Sequence, residues 1–134
     1  MDGRTLRKHS PGASREAAQQ VMRIAALAAQ HKAIDIRAYN LDGLTVVADA
    51  FVLCSAASEP QLRAIFNAVR EGLREDGFRP LHTEGSFQGG WLVIDYGAVV
   101  FHLFREEARV FYDLDGLWAD APPMALDKDG VSIP

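Results

Sequence analysis

DAFVLCS, Asp49 to Ser55, narrows the choice of fold more than any other segment of the chain. It is apolar at nearly every position and too short for a helix, so it predicts a central strand covered on both faces. GGWLVIDYGAVVFHLF, Gly89 to Phe104, predicts two more strands joined by a Tyr-Gly turn. Leu92, Ile94 and Tyr96 alternate there with Trp91, Val93 and Asp95; after the turn, Val99, Phe101 and Leu103 alternate with Val100, His102 and Phe104. A period of two gives each strand one aliphatic face and one mixed face. The mixed face carries an indole, a carboxylate, an imidazole and a phenyl ring.

Other segments supply the cover. From Arg15, Ala18, Val21, Met22, Ala25 and Ala28 recur at helical spacing, with Ser14 as N-cap and His31 and Lys32 at the negative pole. AIDIRAYNL alternates as a half-buried strand and Asp42-Gly43 supplies a turn. Ser58-Glu59-Pro60-Gln61 is a capping box. Leu62, Ile65, Phe66, Val69 and Leu73 follow on one helix face, and Gly77 is placed to end the helix. RPLHTEG predicts an edge strand, where Pro80 is tolerated. REEARVFYDLDGLW has apolar positions for one or two short helices. The order α-β-β-α-β-β-β-α describes an α/β fold, a mixed sheet of about five strands packed with helices. Residues 1–14 form a basic tail, 15–118 one domain, and 119–134, with Pro122-Pro123, a second tail.

Composition limits the function classes. At 134 residues, 49% apolar and 24% charged, the chain is one globular domain. Its single cysteine, Cys54, has no internal disulfide partner, which points to a reducing, cytoplasmic setting. No run reaches the ~20 apolar residues of a membrane span. Asp2 and Glu16 are out of place in a transit peptide. Net charge is −4, yet Arg4, Arg7, Lys8 and Arg15 against Asp2 give the first 15 residues +3 and leave about −7 for the rest. An acidic body suits a basic protein partner better than a phosphate backbone.

Catalytic sets are weak. Cys54 lies in the most apolar strand, where a thiol is packing material. His9, His31, His82 and His102 lack metal-ligand spacing, even if His82 and His102 converge on neighbouring strands. Asp113-Leu114-Asp115 is a D-x-D, by which a strand presents two carboxylates to magnesium in nucleotide-transferring enzymes. The flanking residues favour a helix, and Gly85-Ser86-Phe87 is a poor phosphate loop. Asp113 reads better as a helix-starting residue, and magnesium-dependent nucleotide transfer remains the alternative. With no catalytic set to account for it, the mixed hairpin face predicts a binding surface.

Five segments then stand in order: Phe51-Val52-Leu53-Cys54-Ser55, Thr83-Glu84-Gly85, Trp91 to Gly97, Val99 to Phe104, and Tyr112-Asp113-Leu114-Asp115-Gly116-Leu117-Trp118. Together they resemble the ribosomal silencing factor family, also called Iojap-related proteins, from about Ala17 to Trp118. The resemblance implies a nucleotidyltransferase-like topology without catalytic residues, no enzymatic activity and no cofactor. It also implies binding to the large ribosomal subunit at its fourteenth ribosomal protein, blocking of subunit joining, and lower translation when nutrients are scarce. Carried over by position, the partner-binding residues are Glu84, Trp91, Asp95, His102, Phe104, Tyr112 and Trp118. Contact with ribosomal RNA and a homodimer in the free state are further expectations. The chain departs from the family pattern at Gly97-Ala98, Ala56-Ala57-Ser58 and Pro60-Gln61.

Overall fold

A computed structural model describes residues 11–41 and 48–124. Along the chain the elements are α1 (Pro11–Gln30), β1 (Ile34–Asn40), β2 (Ala50–Ala56), α2 (Glu59–Glu75), β3 (His82–Ser86), β4 (Trp91–Asp95), β5 (Val99–Arg105), α3 (Glu106–Tyr112), α4 (Leu114–Leu117) and β6 (Pro123–Met124). The strands form one sheet in the order β3-β4-β5-β2-β1-β6. Among the described residues only the central pair β2 and β5 is parallel; the other neighbours are antiparallel. The Asp49–Ser55 run is thus the middle of the sheet, where both faces must be covered.

The sheet has six strands, not about five. The extra one is β6, which pairs Pro123 with Tyr39 and Met124 with Ala38. This strand and the buried Ala121 extend ordered structure past Trp118, the expected domain end. At the other end α1 begins at Pro11, four residues before the expected start, because proline suits a first helical turn. The Asp42-Gly43 turn and the outermost parts of both expected tails lie outside the described residues.

Helices α1 and α2 cover the aliphatic face. Val21, Ile24, Leu62, Ile65 and Leu73 pack there against Val52, Cys54, Leu92, Ile94, Phe101 and Leu103. The two helices approach closely, since a Cβ on Gly72 would meet the Leu27 side chain at 2.4 Å. The end of α2 is a Schellman closure: Phe78 N donates to Leu73 O and Gly77 N to Arg74 O, with Gly77 at φ 90°. At its start, Ser58 Oγ accepts from Gln61 N. Gln61 does more than cap: its Oε1 accepts from Ala57 N at 2.7 Å, and its Nε2 donates to Lys32 O at 2.9 Å and His31 O at 3.1 Å. It therefore binds the exit of α1 to the entry of α2. Gln61→Ala should cost about 1–2 kcal/mol in denaturant titration, with the slope m unchanged. A loss below a few tenths of a kcal/mol would mean that water replaces these bonds at no cost.

On the opposite face, α3 and α4 cover the part of the sheet nearest β2 and β5. A second core forms there from Tyr39, Leu41, Leu53, Phe104 and Ala121, flanked by Phe51, Trp91, Ala108, Leu114 and Trp118.

Candidate functional site

The hairpin register puts Trp91 opposite Phe104, Val93 opposite His102 and Asp95 opposite Val100. These residues share the mixed face, as the alternation predicts. From Trp91 an aromatic chain runs both ways. It stacks on Phe104 at 5.1 Å and meets Tyr112 at 4.5 Å, and Tyr112 meets Phe111 at 5.0 Å. Inward, His102 lies 4.7 Å from Phe51, which contacts Trp118 at 5.6 Å.

Burial divides this set. Phe104 is fully buried and His102 is 7% exposed, so neither ring is presented to solvent. Both were expected among the partner-binding residues, yet their rings are covered in this structure: α3 and α4 lie over their end of the face, which strand periodicity alone cannot reveal. His102 is a core histidine. Its Nδ1 accepts from Trp91 Nε1 at 3.2 Å, while its buried Nε2 has no partner among the described residues. Burial lowers its pKa to about 4, so the imidazole is neutral near pH 7. The proton then sits on Nε2, because Nδ1 is occupied as an acceptor. Trp118 is half-buried, and its Nε1 is likewise unpartnered among the described residues.

The remaining sequence-predicted residues stay accessible. Trp91 and Asp95 are half-buried, Tyr112 is half-exposed and Glu84 is exposed. Asp95 Oδ1 accepts from Gly97 N at 2.7 Å and so also shapes the hairpin turn. Glu84 Oε2 sits 2.6 Å from His82 Nε2 on the edge strand. His82 and His102 therefore take different partners and do not converge.

Sequence reasoning missed three of the most exposed large apolar residues. Val110 is 81% exposed, Phe111 79% and Leu117 69%, all on α3 and α4. Tyr112 joins this ridge to Trp91. A signal was available: REEARVFYDLDGLW holds more large apolar residues than two short helices can turn inward.

The D-x-D pair is used structurally. Asp113 is not on a strand; at φ 49° it links α3 to α4, and its Oδ1 accepts from Gly116 N at 3.1 Å. It is the helix-starting residue that the sequence suggests. Asp115 Oδ2 and Oδ1 accept from Arg109 Nε at 2.9 Å and Nη2 at 3.1 Å, and Oδ1 also accepts from Tyr39 OH at 2.8 Å. One carboxylate caps a helix and the other is neutralised by a guanidinium, so they do not present a paired magnesium site. Among the described residues no group of three or more potential metal ligands converges. Cys54 is buried, and desolvation raises its thiol pKa to about 12, which leaves it unreactive. No helix among the described residues is long and apolar enough to cross a membrane.

The family described as "Ribosomal silencing factor during starvation" matches residues 14–133. The ribosomal silencing factor RsfS of Bacillus subtilis is 36% identical over 110 residues, covering 81% of this chain and 93% of that protein. A crystal structure of a Chromobacterium violaceum protein superposes with a TM-score of 0.70 at 30% identity, over 78% of this chain and 85% of that one. A second, from Bacillus halodurans, gives 0.69 at 32% identity, over 81% and 99%. On sequence and on fold, the chain belongs to the ribosomal silencing factor family.

Proposed function

We propose that this protein binds the large ribosomal subunit and by its bulk keeps the small subunit from joining, lowering translation when nutrients are scarce. The observation that carries this reading is the apolar ridge of α3 and α4: Val110, Phe111 and Leu117 are exposed, and Phe111 is linked through Tyr112 to Trp91. Large exposed apolar side chains concentrated on one short segment mark a docking surface. Family membership supports a ribosomal partner in the cytoplasm, and the resemblance points to the fourteenth protein of the large subunit. Trp91 and Tyr112 act as aromatic anchors, Trp118 joins them from its place on the second core, and Glu84 and Asp95 answer Lys or Arg on a basic ribosomal protein. The mechanism is excluded volume and needs no cofactor. A homodimer formed through the same ridge would compete with docking.

The test is light scattering of purified subunits with and without the protein. Phe111→Ser and Leu117→Ser are suitable variants because both side chains are exposed and their loss leaves the core intact. The native protein should suppress joining. Each variant should weaken binding to the large subunit by about 2 kcal/mol, roughly 30-fold, as loss of an interface hot spot does. Normal joining at saturating native protein would overturn the function. Unchanged affinity of both variants would overturn the ridge as its docking face.

A further inference from the structure

The outer side of α2 carries a feature that the docking face does not use. Between its C-terminal half and the Arg79-Pro80 segment lies a depression of about 540 Å³, lined by Asn67, Arg70, Glu71, Arg74, Arg79 and Pro80. Three cations face one carboxylate there, on a chain whose net charge is −4. Glu71 pairs with Arg74. Neither Arg70 nor Arg79 has an ion-pair partner among the described residues, and both are exposed. The Arg70 guanidinium lies 5.5 Å from the centroid of the Phe66 ring, which restrains it without neutralising it.

We infer that this cleft binds the phosphate backbone of RNA. A protein partner needs apolar anchors at the centre of its interface, and the lining offers none beyond Pro80. Arginine forks and an asparagine amide are instead the groups that hold phosphate oxygens. Arg70 and Arg79, the two cations without an ion-pair partner among the described residues, line the same cleft and can engage neighbouring phosphates of one strand. Arg79 and Pro80 lead into β3, an edge strand. The cleft therefore opens at the rim of the sheet and stays accessible when the opposite face is occupied. The inference goes beyond the docking reading and is testable without it.

The experiment compares the full chain with the double variant Arg70→Gln/Arg79→Gln, and with Arg63→Gln as a control whose cation is already paired with Glu59. Binding to protein-free ribosomal RNA is measured by fluorescence anisotropy across a salt series, with binding to intact large subunits in parallel. Circular dichroism checks that the variants fold. The native protein should bind the RNA with a salt-dependent affinity. The double variant should lower the slope of log K against log salt by about 1.4–1.8, since each of two lost phosphate contacts removes about 0.7–0.9. The control should leave it unchanged. An equal slope in native protein and double variant overturns the assignment. So does saturable binding of inorganic phosphate through Arg70 and Arg79 with no binding of the RNA, which marks a small-anion site. Weaker binding of the double variant to subunits with unchanged binding to bare RNA would assign the cleft to an acidic protein. Failure of the native protein to bind subunits while it still binds RNA through the cleft would remove the docking function and leave this inference standing.

Discussion

Arg109→Met should destabilise the fold by about 3–5 kcal/mol, the cost of stripping one partner from a buried ion pair. Arg109 is buried, and its guanidinium joins four elements. Nε and Nη2 fork onto Asp115 of α4, while Nη1 donates to Asp35 O of β1 at 2.7 Å and to Ser55 Oγ of β2 at 3.0 Å. The β1 carbonyl is free to accept because β1 is irregular there: its register shifts between Ile34 and Arg37, and Asp35 sits at φ 50°. Without Arg109, the Ser55 hydroxyl and that carbonyl lose their donor together, and the Asp115 carboxylate keeps only the Tyr39 hydroxyl among the donors described. Methionine fills much of the volume and replaces no hydrogen bond. Arg109→Lys should recover only part of the loss, since an ammonium cannot make the fork and reach β1 at once.

The transition midpoint should fall on the order of 10 °C or more for a domain of this size. An unchanged midpoint would show that α3 and α4 are held by apolar packing alone. The acid limb gives a second check. Burial alone would raise the Asp115 carboxyl pKa, but hydrogen bonds from Arg109 and Tyr39 outweigh it and hold it below 3.8. A depressed carboxylate contributes stability above its unfolded pKa and loses it as pH falls through the folded value. The gap between native protein and Arg109→Met should therefore narrow in strong acid.

Much of the fold was legible because single residue types carry it. The apolar run of β2, the alternation of β4 and β5, the Ser58–Gln61 cap and Gly77 each need a particular backbone conformation, and each is found where predicted. β6 was not legible: two residues beside a proline pair leave no period to read. The site was half legible. Alternation assigns His102 and Phe104 to the mixed face, but whether a residue of that face meets solvent depends on where α3 and α4 come to rest. Their resting place is set by Arg109, a lone charge in an apolar run whose four-element role no local pattern encodes. The same packing turns Val110, Phe111 and Leu117 outward and creates the ridge.

His102 makes the stability of the native protein fall as pH drops below neutrality. Its pKa falls from 6.5 to about 4 in the folded state because burial disfavours the imidazolium. Between those values the unfolded chain takes up a proton that the folded chain refuses. The contribution is complete above pH 6.5 and is lost as pH falls toward 4. With a slope of up to about 1.4 kcal/mol per pH unit, the total loss is about 3 kcal/mol. His102→Phe should flatten this part of the profile in urea titrations from pH 7 to pH 4.5. The substitution keeps a ring among Phe51, Trp91 and Phe104, and removes the buried, unpartnered Nε2. It also removes the acceptor of the Trp91 indole N–H, but Trp91 is half-buried and water can replace that bond. Near pH 7 the two proteins should thus be of similar stability, and by pH 5 the variant should be the more stable. Parallel profiles would mean that the imidazole charges freely in the folded protein, which requires α3 and α4 to lift from the sheet. In that event His102 and Phe104 would regain the access to a partner that their burial denies them.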